Sequence, residues 1–131
     1  MDIKAIELRT NKIWVEEEGI VRVLVSEKAR QTLSDAEETV RAISEILKKT
    51  ELGKSPCYID MSNISSIEKG ARDYYSGKES ARVVSVVALI INSPVSKVIG
   101  NFFLGINKAE FPTQLFTDGD EAIEWLKGFV G

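Results

Sequence analysis

The sequence contains no histidine and only one cysteine, Cys57. Structural zinc sites need several Cys or His ligands, and Ser-His or Cys-His nucleophiles need an imidazole base, so composition excludes both. There is no long run of charge of one sign: 17 Lys and Arg stand against 20 Asp and Glu, a net charge of -3. A mildly acidic chain without a basic patch repels a phosphate backbone, so no nucleic-acid partner is expected. The longest apolar stretch, Val83 to Ile91 broken by Ser85, is too short to span a bilayer, and MDIKAIELRT has no apolar segment behind a basic start. A cytoplasmic protein is expected. Paired carboxylates, a Gly-rich phosphate loop and a nucleophile elbow are also missing. An enzyme would have to work with Asp60, Glu68 or Lys69 alone, so neither catalysis nor a cofactor is expected, and no metal site.

What the chain does have is enough length for one self-sufficient core. At 131 residues, folding buries roughly two-thirds of the surface of the unfolded chain. No repeat, linker or low-complexity tract divides residues 1–131, which read as a single domain. Apolar residues alternate through Ile3, Ile6 and Leu8, then Ile13 and Val15, then Ile20 to Val25, with turns at Thr10-Asn11 and Glu18-Gly19, predicting two or three antiparallel strands. From Ser34 the period becomes helical: Ala36, Val40, Ile43 and Leu47 share a face, and Ser34 with Glu37 has the form of a capping box. Gly53 to Pro56 ends that helix and leads into a strand at Cys57 to Met61, a polar loop at Ser62 to Ser66, and a second helix from near Ile67. The run VVSVVALII at 83–91 predicts a strand buried on both faces. Ser93 and Pro94 open a third helix, Pro112 to Phe116 form a last strand, and Asp118 caps a final helix carrying Ala122, Trp125, Leu126 and Phe129 on one side. Strands first and then strand-helix alternation predict an α/β fold, a mixed sheet with helices packed on it.

The stretch CYIDMSNISSIEKGAR resembles the strand-loop-helix core of STAS domains, the SpoIIAA-like fold of bacterial anti-sigma factor antagonists, and LFT followed by DGDEAIEWL is similar to the end of SpoIIAA-like proteins related to STAS and CRAL-TRIO domains. The resemblance implies a SpoIIAA-like mixed sheet with antiparallel N-terminal strands and about four helices. It also implies a non-enzymatic regulatory module that docks to protein. In the antagonists a serine at the start of the helix is phosphorylated, whereas this chain has Lys69 there. Lysine forms no stable phosphate ester and puts a positive charge where the switch would create a negative one. Ser62, Ser65 and Ser66 lie nearby as substitutes, although such serines are usually turn and cap residues. Lys69 and Arg72 at a helix start could instead hold an anion, or Glu68 and Arg72 could simply pair one turn apart. Tyr74 and Tyr75 are expected to split between core and edge, and Cys57 to be a packed core thiol.

The third helix, PVSKVIGNFFLGIN, is the least ordinary segment. At about 100° per residue, Val95, Val98, Ile99, Phe102, Phe103 and Ile106 form one wide apolar face. The other side carries Lys97 as its only charge, with Ser96, Gly100, Asn101 and Leu104. An outward surface this poor in charge is expected to be covered. A homodimer is the first expectation, and a small apolar or lipid ligand held between the sheet and this helix the second, as the CRAL-TRIO likeness implies. Peripheral membrane contact through 94–107 is the third. Residues expected to meet a ligand or partner are Asp60, Ser62, Lys69, Arg72, Tyr75, Lys97, Gly100, Asn101, Phe103 and Leu104.

Overall fold

The computed structural model describes residues 4–130, so Ile3, read above as part of the first strand, lies outside the described residues. Three antiparallel strands open the chain, β1 (Ile6–Glu7), β2 (Asn11–Val15) and β3 (Val21–Val25). In β3 strict alternation sends Val21, Val23 and Val25 inward and leaves Leu24 42% exposed, the pattern of a sheet with one solvated face. After β4 (Arg30–Gln31) and α1 (Leu33–Lys49), the chain adds β5 (Ser55–Asp60), β6 (Ser66–Ile67), α2 (Lys69–Tyr75), α3 (Lys78–Ala81), β7 (Val84–Ile90), α4 (Pro94–Leu104), β8 (Thr113–Phe116) and α5 (Gly119–Lys127).

The main sheet has the order β1-β2-β3-β5-β7-β8, antiparallel up to β3 and parallel from β3 to β8. β7, walled by helices on both faces, is buried at six of its seven positions, as its continuous β-branched sequence requires. Pro56 sits inside the central β5, where a missing N–H would normally break a ladder. The register shifts there, since Ser55 faces Val84 while Pro56 faces Val86. Donors alternate along β5: Ser55 N–H goes to Val83 O on the β7 side, so position 56 faces β3, whose ladder begins one residue later at Cys57, and the proline costs no ladder bond. One face of the sheet packs on α1 and α4 through Ile43, Ile46, Ile99 and Phe103. On the other, Ala122 and Leu126 of α5 seal Ile20, Val86, Ala88 and Ile90.

Several local expectations are corrected. The capping box of α1 is Thr32 with Asp35, not Ser34 with Glu37: Thr32 Oγ1 accepts from Asp35 N, and the Asp35 carboxylate accepts from Thr32 N at 2.9 Å. Asn11, read as a turn residue, begins β2 and is buried. Between the polar loop and the second helix the chain makes β6, which pairs in parallel with β4 as a separate two-stranded sheet. The helix itself starts at Lys69 rather than near Ile67.

Candidate functional site

Two hollows meet at α4. The first is an open groove of about 410 Å³ between the loop ahead of α2 and the first turns of α4, lined by Ser65, Ser66, Ile67, Arg72, Val95, Val98 and Phe102, with Pro94 and Ile99. Val98 is 60% and Val95 43% exposed, so the rim of the groove is apolar and open to water. Arg72 ties its two sides together. The guanidinium lies 4.3 Å from the Phe102 ring centre and donates to Ile67 O at 3.1 Å and Asn107 Oδ1 at 3.3 Å, a stacked and forked role that lysine could not fill.

Arg72 therefore does not pair with Glu68. Glu68 instead reaches back 35 residues, and its Oε2 accepts from the Leu33 backbone N–H at 3.0 Å, one of the free donors at the start of α1. Lys69 pairs with Asp73 at 2.8 Å. The Lys69 hydrogen bond, with a second from Asn107, holds the Asp73 carboxyl below its ordinary range. Asp60 ends β5 and its Oδ1 accepts from Ser62 N at 3.0 Å, an Asx turn that shapes the loop. Asn92 Nδ2 donates to Ser62 Oγ at 3.3 Å.

The second hollow is a cavity of about 80 Å³ on the α1 and α4 side of the sheet. At one end stands a closed ring of hydrogen bonds. Asn11 Nδ2 donates to Tyr75 Oη at 3.3 Å, Tyr75 Oη to Gln31 Oε1 at 2.6 Å, and Gln31 Nε2 back to Asn11 Oδ1 at 2.7 Å. Asn11 Nδ2 also donates to Thr39 Oγ1 at 2.7 Å, and Thr39 Oγ1 donates to Asp35 O at 2.7 Å. Burial, opposed by the bonds to Thr39 and Asn11, pushes the Tyr75 phenol up to about 12. Cys57, fully buried in the wall, is likewise pushed up to about 12 by desolvation, so it stays a thiol.

The residues singled out from the sequence thus separate into groups. Arg72 lines the groove, with Asp60 and Ser62 in the turn beyond it and Lys69 on α2 at its own salt bridge. Lys97, Asn101 and Leu104 are exposed on α4. Tyr75 and Phe103 face the cavity. Gly100, read as outward, faces the sheet: a Cβ there would lie 3.0 Å from Leu115 Cδ2 and 3.2 Å from Ile91 Cγ2. Val95 and Val98, assigned to the core stripe, instead form the exposed rim. The signal was the width of the apolar arc. It exceeds the roughly 100° a helix needs to face a core, so one edge had to stay outside.

This architecture is similar to solved SpoIIAA-like structures. An uncharacterised DUF3478-family protein with a SpoIIAA-like fold from Shewanella loihica PV-4 superimposes with a TM-score of 0.60 at 16% identity, covering 88% of this chain and 91% of that one. The anti-sigma factor antagonist SpoIIAA in its unphosphorylated form gives 0.59 at 14% identity over 90% and 98%. An anti-sigma factor antagonist from Mycobacterium paratuberculosis gives 0.59 at 17% over 90% and 93%. The fold is therefore SpoIIAA-like, a mixed α/β sheet with antiparallel N-terminal strands. No curated protein matches the sequence. The chain belongs to the family described as Domain of unknown function (DUF7793), whose model matches residues 13–130.

Proposed function

We propose that this chain is a non-enzymatic, STAS-like regulatory module that docks a protein partner in the groove between the 62–72 segment and α4. The observation that carries the reading is the exposed apolar rim, Val95 and Val98, standing beside a loop pinned in place by Arg72. An apolar strip flanked by an arginine and free loop hydroxyls has the makeup of an interface centre: branched aliphatic contacts, an Arg anchor and a polar border. The likeness in fold to two anti-sigma factor antagonists, proteins named for their action on another protein, supports the reading. Lys69, already engaged by Asp73, favours a module that docks without a phosphoryl switch at that position.

The test is affinity purification with crosslinking from the encoding organism, comparing wild type, Val98→Glu and the distant control Lys127→Ala. One partner retained in stoichiometric amount by wild type and control, and lost by Val98→Glu with an unchanged melting temperature, is the expected result. Equal recovery by Val98→Glu would place docking elsewhere. Native mass spectrometry of the same three proteins tests the other occupant, a second copy, which would appear as a dimer mass dispersed by Val98→Glu.

A further inference from the structure

We propose that the cavity between the sheet, α1 and α4 is a binding site for a small apolar molecule, of the size of xenon or a short hydrocarbon. The site is separate from the docking groove and does not rest on it, although Ile67 and Ile99 line both. Its origin is visible in the sequence. The floor is built from short β-branched side chains such as Val23 and Val87, and Ile43 of α1 and Phe103 of α4 close over them without filling the space. Native interiors leave few voids larger than a water molecule, and this one measures about 80 Å³. An engineered lysozyme cavity of about 150 Å³ with aliphatic and aromatic walls stays dry and takes benzene or xenon.

The chemistry of the walls selects against water. A buried water needs two to four polar partners. Six side chains in the wall carry hydrogen-bonding N or O atoms, and every one of those atoms is already bonded. Asn11, Gln31, Thr39 and Tyr75 satisfy one another and Asp35 O, Ser80 Oγ donates to Tyr74 O, and Thr113 Oγ1 donates to Phe111 O. The buried side-chain atoms without partners among the described residues, Arg22 Nε and Ser85 Oγ, belong to residues outside this wall. A water entering would exchange its bulk hydrogen bonds for contacts with methyl groups, whereas an apolar guest gains dispersion contacts and gives up no hydrogen bonds. The two sulfurs in the wall, the buried Cys57 thiol and the Met61 thioether, offer no charge to a guest.

The experiment is a methyl-resolved NMR titration of the intact protein with xenon under pressure, with water-to-methyl NOEs recorded on the same sample. Saturable shifts confined to the methyls of Ile43, Val87, Leu89 and Ile99, with Val86 and Ile90 on the opposite face unmoved and no water NOE to the lining methyls, are expected. Linear shifts spread over the surface, or water NOEs into the cavity, would overturn the proposal. Val87→Ile, which adds a methylene to the wall, is expected to weaken xenon binding about tenfold, and Ile99→Val, which removes one, to strengthen it. Either variant decides the matter if the other fails to fold. Val98→Glu leaves xenon binding unchanged, so loss of the docking reading and loss of this one give different results.

Discussion

Gly100→Ala opposes two effects of known size. Alanine is favoured over glycine in a helix interior by about 1 kcal/mol, so on an outward-facing position the substitution would stabilise by that amount. Here the new Cβ would sit 3.0 Å from Leu115 Cδ2 and 3.2 Å from Ile91 Cγ2. Both are closer than ordinary carbon contact, and overfilling of this kind costs about 1–3 kcal/mol. Leu115 is half-buried and can give a few tenths of an ångström, while Ile91 is buried and cannot. The expected net effect is destabilisation by about 1 kcal/mol, close to 4 °C in melting temperature for a chain of this length. Gly100→Val, with two further methyls against the same neighbours, is expected to lose more. Gly53, with nothing within 4 Å and no positive φ, is the control, and its alanine variant should be neutral or stabilising by up to about 1 kcal/mol. Urea denaturation followed by circular dichroism reads all three, with a constant m-value licensing the comparison. A Gly100→Ala protein more stable than wild type would mean that α4 does not press this side against β8, and the division of the helix into core and groove would fail.

Other outcomes follow from the same geometry. Glu51 ends α1 at φ 58°, with its N–H on Lys48 O and that of Leu52 on Leu47 O at 2.9 Å. This is a Schellman turn with a side chain where glycine is preferred, so Glu51→Gly should stabilise by about 1 kcal/mol in thermal unfolding. Tyr75→Phe leaves the Gln31 carbonyl without its donor inside the core and should cost about 1–3 kcal/mol in urea denaturation; an unchanged midpoint would show that the ring of bonds does not form. Burial raises the Asp35 carboxyl, but the Arg9 side chain and the Thr32 backbone and hydroxyl outweigh it, leaving the pKa below its ordinary value. A depressed carboxyl adds stability that is complete above the unfolded value of about 3.9 and is lost as pH falls through the folded one. Asp35→Asn should therefore flatten the acid limb of a stability-pH curve. Cys57 should resist thiol reagents at pH 8 in the native protein and react only as it unfolds.

What could be read in the sequence was whatever depends on neighbours within a few residues. Alternation in Val21 to Val25, the β-branched run at 84–90, Ser93-Pro94 at the start of α4 and Asp118 at the start of α5 are local choices, and each element formed where its own pattern required. Element order then restricted the topology to a mixed sheet, and the Asp-Met-Ser loop pointed to the SpoIIAA-like arrangement. Tertiary structure decided the rest, because those contacts join residues far apart in the chain. Thr32 rather than Ser34 caps α1 because β4 delivers it there, paired with β6 more than thirty residues later. Asn11, Gln31 and Tyr75 look like unrelated polar residues until β2, β4 and α2 bring them into one ring. The wide apolar arc of α4 has two edges of nearly equal character, and only the position of Leu115 and Ile91 determines that Gly100 turns inward and Val98 outward. Helical periodicity gives the angle between side chains, but the neighbour against which the helix settles gives the direction.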